Sequence, residues 1–173
     1  MPPPSISPSF FDRWLVLIVG CLAAFLVGSN ATGVMTALPA IKADLDLTTL
    51  AQQWVMNIYM LSATVFVAIM GRFSDIFGKL NVFMFGLAVF GLGSTADLIA
   101  GDFIIFLVGR VGQGVGAACM MSASVALVNV TTEKSKRALA LGIWASSVAL
   151  GLGVGVLIAG ALIAVIGWRA VFG

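Results

Sequence analysis

Charged residues divide this chain into long apolar stretches. Residues 14 to 41 carry no charge between Arg13 and Lys42, residues 47 to 71 none between Asp46 and Arg72, and residues 80 to 96 none between Lys79 and Asp97. Residues 103 to 132 are interrupted only by Arg110, and residues 138 to 168 are uncharged between Arg137 and Arg169. About 20 apolar residues cross a hydrocarbon core of about 30 Å as a helix, so each of these runs is long enough. Backbone amides in lipid must be paired internally, which leaves helices or closed barrels, and continuous runs lack the two-residue alternation of barrel strands. The pattern predicts an all-α integral membrane protein with five transmembrane helices, spanning about 14–38, 50–71, 80–100, 103–129 and 138–166.

Composition narrows the function. Of the 173 residues, 61% are hydrophobic and only 9% charged, against roughly 25% charged in a soluble domain. With no His, the usual Ser/His/Asp and Cys/His relays and all His-based metal sites are excluded. Cys21 and Cys119 form no paired motif and read as buried small hydrophobes. The net charge of +2 has no basic run behind it, so no nucleic-acid surface is expected. Neither an enzyme, a metal nor a cofactor is indicated.

Short cytoplasmic loops hold most Lys and Arg. With the N-terminus inside, the cytoplasmic segments carry Arg13, Arg72, Lys79, Lys134, Lys136 and Arg137, and the outer ones only Lys42 and Arg169. The N-in, C-out arrangement follows. Met1 to Pro8, with four prolines and two serines, reads as short and disordered, within a cytoplasmic tail over 1–13 ahead of a transmembrane domain over 14–173. The Ile18–Val19–Gly20–Cys21 run looks like a lipoprotein box, and Ser29–Asn30–Ala31 like a signal cleavage site, but the apolar run is too long for a signal segment.

Between the second and third runs lie Gly71, Arg72, Phe73, Ser74, Asp75, Ile76, Phe77, Gly78 and Lys79. The glycines suit a tight turn, and Asp75 can cap a helix or accept from a basic neighbour. This spacing resembles the signature loop of the major facilitator superfamily. Three further stretches resemble its fourteen-helix drug:proton antiporter branch, in the order that branch has them. They are Asn30-Ala31-Thr32 through Ala37-Leu38-Pro39, the run from Trp54 to Leu61, and Arg110-Val111-Gly112-Gln113-Gly114-Val115-Gly116-Ala117-Ala118. Trp168, Arg169 and Phe172 look like the lead into a sixth helix.

Arg110 stands out on physical grounds. A guanidinium within a span costs about 2.5–3.5 kcal/mol on insertion scales, so it should face the bundle interior or a watery cavity and find an acceptor. Snorkelling is the alternative, since Arg110 lies eight residues after Asp102, about 12 Å along a helix. Gln113 and Gly114 share its face. Asn30 and Asn57 count to about 10–12 Å from the outer surface, close to the depth of Arg110. A polar belt of Asn30, Asn57, Arg110 and Gln113 around one water-accessible cavity is therefore expected. Gly112, Gly114, Gly116, Gly151, Gly155 and Gly160 are expected to let helices approach closely.

The departures matter as well. Asn30 stands where that branch has an aspartate, and an amide cannot titrate. Asp97 and Asp102 read as lying near the outer mouth, with Asp75 and Glu133 at the cytoplasmic side, which leaves no acid deep in a span. Val156 and Ala159 replace a proline and a glycine of the antiporter glycine motif, and Ile76 takes a usually basic position in the loop.

The resemblance implies a fold of two six-helix halves with substrate held between them, and five spans amount to an incomplete first half. It implies a membrane transporter resembling multidrug exporters of the bacterial inner membrane, handling small lipophilic compounds. On that footing the chain is expected to be a truncated or split N-terminal portion, its partners being the lipid bilayer and a missing C-terminal half or another membrane chain. The alternatives are one chain of a multi-chain transporter, or a non-transporting packing or regulatory partner.

Overall fold

The computed structural model describes the backbone from Phe10 and side chains from Trp14, in both cases to Gly173. Of the expected tail over 1–13, residues 1–9 lie outside the described residues, and α1 already takes up residues 10–13. Five helices account for almost everything else: α1 Phe10–Asp44, α2 Thr49–Phe77, α3 Lys79–Ile99, α4 Phe103–Thr131 and α5 Arg137–Val165, followed by a 3₁₀ turn, Trp168–Val171. All five are long and apolar enough to cross a membrane. The architecture is all-α, as the charge pattern requires.

The helices outrun the apolar runs at two places. α1 continues through Pro39 to Asp44, and α2 through the expected loop to Phe77. Nothing at positions 71–77 breaks a helix, and Ser74 Oγ donates back to the Gly71 carbonyl at 2.9 Å. The break comes at Gly78, where φ is +92°, a region that side chains with a Cβ rarely adopt. The turn between α2 and α3 is therefore a single residue.

At the other end, local chemistry sets the helix starts. Thr48 Oγ1 accepts from Ala51 N at 3.2 Å, opening α2. Asp102 Oδ1 accepts from the amides of Ile104 and Ile105 at 2.8 and 2.9 Å, opening α4. Asp102 is thus an N-cap.

α4 is the hub, buried along one side from Phe106 to Val128. α3 and α2 pack against it on separate faces, while α5 packs mainly along α1 and touches neither α2 nor α3. Near the end that holds Asp44 and Arg169, Phe106, Trp168 and Phe172 form an edge-to-face trio with centroids 5.6–6.1 Å apart. Arg169 Nη1 meets Asp44 Oδ2 at 2.8 Å and its Nη2 donates to the Ala100 carbonyl at 3.0 Å. The segment from Trp168 to Phe172 thus clasps α1 to the α3–α4 turn. Cys119 is buried as expected, but Cys21 is only partly covered, because its side of α1 looks outward.

Candidate functional site

Arg110 projects from the third turn of α4 into the packed interior, where it is wholly enclosed. Its Nη1 donates to Asn30 Oδ1 of α1 at 2.9 Å and to Gln113 Oε1, one helical turn on, at 2.5 Å. Nε reaches the Val55 carbonyl of α2 at 3.4 Å. Gln113 Nε2 in turn donates to Ser94 Oγ of α3 at 2.9 Å. The guanidinium carbon lies 4.2 Å from the centroid of the Tyr59 ring on α2, within cation–π range. One cation thus gathers four helices, and the charge is neither snorkelling nor facing lipid.

Of the four residues expected to form a belt, the fold brings three together. Asn57 stays on the exposed side of α2 and makes no hydrogen bond to the others. Val55 and Tyr59 take the inward positions of that helix turn, and Asn57, two residues from each, points away from them. Nor is the cluster an open lining. Arg110 and Gln113 are sealed behind Tyr59 and Val55, while Asn30 and Ser94 edge a groove of about 640 Å³ between α1, α3 and α5.

Three participants escaped sequence reading: Tyr59, Ser94 and Asp97. Asp97 is two residues from the end of α3, as its place in the sequence suggests, yet it is fully buried. Its neighbour across the interface is Gly109, where even one added methyl would overlap Asp97 Oδ1. Neither carboxyl oxygen has a hydrogen-bond partner, and neither has Arg110 Nη2. Asp97 thus keeps the place near the end of its span that counting gives it, but lies inside the packing rather than open at the mouth. Tight α3–α4 packing, which a glycine at 109 permits, covers a group that counting along the axis put at the rim.

The glycines divide in the same way. A Cβ at Gly114 would come within 2.7 Å of the Tyr59 carbonyl, at Gly116 within 2.6 Å of Phe90 N, and at Gly155 within 2.7 Å of Ser29 Cα. At Gly151 it would collide with the Phe25 carbonyl. Gly112 faces only ordinary contact distance to Gly93, and Gly160 faces open space, so close approach explains neither. In the α2–α3 joint, Lys79 Nζ bonds Asp75 Oδ1 at 3.2 Å across the Gly78 break, while Gly71, within α2, meets nothing.

With this geometry in hand, comparison with known proteins decides the family. Residues 20–173 match the Major Facilitator Superfamily. The chain belongs to that superfamily. Among its relatives is the tetracenomycin C resistance and export protein of Streptomyces glaucescens, 33% identical over 92% of this chain and 30% of that protein. The puromycin resistance protein of Streptomyces alboniger is 35% identical over 91% of this chain and 31% of that one. The cephamycin export protein of Amycolatopsis lactamdurans is 34% identical over 90% and 32%. The chain spans about 30% of the length of these curated relatives. As a superfamily member with five apolar spanning helices, it is an integral membrane protein. The Arg110 cluster sits where four of the chain's helices converge.

Proposed function

We propose that this chain forms the first five helices of an exporter of small lipophilic compounds in a bacterial plasma membrane, with further membrane helices supplying the rest of the transport path. The observation that carries the reading is Arg110. A cation buried in a spanning helix is expensive and marks a functional interior, and here it is held by Asn30, Gln113 and Val55 from three helices. Relatives named for export or resistance support the same reading. Five basic residues, Arg72, Lys79, Lys134, Lys136 and Arg137, fall at the end where α2 passes into α3 and α4 into α5, which favours that end as cytoplasmic and Gly173 as outside. The groove beside Asn30 and Ser94 runs to Gly173 and offers an apolar seat for another helix. Asn57, exposed on α2, belongs to the face that the opposing half covers.

The test is ethidium efflux from cells making this chain alone, or together with the puromycin resistance protein lacking its own first five helices. The pair should export and neither piece alone should. Efflux from this chain alone would overturn the need for further helices. If both pieces reach the membrane and co-purify yet ethidium stays inside, the exporter reading falls.

A further inference from the structure

The knot around Arg110 accounts for Nε and Nη1 and leaves Nη2 without a partner, while both oxygens of Asp97 are buried and unpaired nearby. A donor and two acceptors are thus left over on adjoining helices, in the interior where α3 meets α4. The two residues are close enough for each charge to act on the other, but they form neither an ion pair nor a hydrogen bond in this conformation. Gly109 makes the arrangement possible, because any larger residue would fill the space of the carboxyl group.

We propose that Asp97 is a proton-binding site that switches Arg110 between two sets of partners. With the carboxyl protonated, its charge is gone and the guanidinium rests on Asn30, Gln113 and the Val55 carbonyl, as observed. When the proton leaves for water, the carboxylate draws Nη2 toward α3, and the pull is transmitted to Asn30 and to Tyr59 beneath the guanidinium. The proton comes from and returns to bulk water, and the interior changes by one charge. The acid resides on α3, whereas the position on α1 that resembles an antiporter aspartate holds the non-titrating Asn30.

The other charged or titratable groups around this interface are few. α4 contributes Arg110 and α2 contributes Tyr59. The terminal 3₁₀ turn brings Arg169, engaged with Asp44 of α1 and the Ala100 carbonyl, at the rim. Among the described residues, Arg110 and the Tyr59 beneath it share the interior with Asp97.

Use of the switch in proton-driven export rests on the transport reading above, but the switch itself does not, so it is tested without transport. The full chain in lipid nanodiscs is titrated from acidic to alkaline buffer and followed by infrared difference spectroscopy. The wild-type minus Asp97→Asn spectrum should contain a carboxylic-acid carbonyl band that disappears as pH rises. A guanidinium stretch, identified by its absence in Arg110→Lys, should shift in the same pH interval and stay fixed in Asp97→Asn. Asp97→Glu, which keeps the acid, should restore both responses. A carbonyl band constant across the range, its complete absence, or a guanidinium stretch indifferent to the loss of the band would each overturn the proposal. Unchanged helicity by circular dichroism guards against unfolding as the cause of any loss.

Discussion

At the level of single residues, the chain concentrates its buried polarity on one arginine. Gln113→Ala removes both the shortest acceptor of Arg110 and the link to Ser94, leaving a charged donor short of a partner and a serine unpaired. We expect a loss of about 1–3 kcal/mol, measured by titrating the micelle-bound chain with a denaturing detergent. A smaller loss, within about 0.5 kcal/mol, would mean that water replaces the amide. Exposure makes a second test. A cysteine at Asn57 should react with a hydrophilic thiol reagent faster than one at Gln113, and equal rates would show that the knot opens readily. Legibility at this scale was uneven. Arg110, Gln113 and Asn30 could be found because charge or amide groups inside apolar runs are conspicuous and depth follows from counting. Counting gives height along a helix, not the direction a side chain takes around it. For that reason counting does not show that Asn57 looks out of α2 or that Asp97 is folded in against α4. Gly109 beside the arginine was the usable hint of a closely packed neighbour.

At the level of the helix, small residues decide which pairs can touch. Gly155→Leu would force α5 off Ser29 of α1, an overpacking expected to cost about 1–3 kcal/mol, whereas Gly160→Leu meets nothing and should stay within about 0.5 kcal/mol of the parent. The same detergent titration separates them, and a comparable cost at both would show that the seam extends beyond Gly155. Gly78→Ala puts a Cβ at φ +92°, a conformation costing about 1–2 kcal/mol. Its expected sign is destabilising even though the turn is exposed. The five helices and their order were legible because lipid permits so few alternatives. The continuation of α2 to Phe77 was not, since glycine and charge suggested a loop while nothing before Gly78 actually stops a helix.

For the whole molecule, orientation is the property most open to a direct check. Alkaline phosphatase fused after Gly173 should be active and a cytoplasmic reporter at the same site silent, and the reverse would invert the arrangement that the basic residues favour. The fold class was readable from the sequence because each spanning run must pair its own amides. The arrangement of the helices around α4 was not, because apolar faces in lipid look alike and close backbone approaches, such as those at Gly114, Gly116, Gly151 and Gly155, distinguish them. One consequence follows from how α5 is attached. Ser29 Oγ donates to the Gly151 carbonyl of α5 at 3.3 Å, while the very next residue, Asn30, accepts from Arg110. A push delivered to the outer half of α5 has one short lever into the centre, two consecutive residues of α1, so whatever docks against that outrigger has its hand on the arginine.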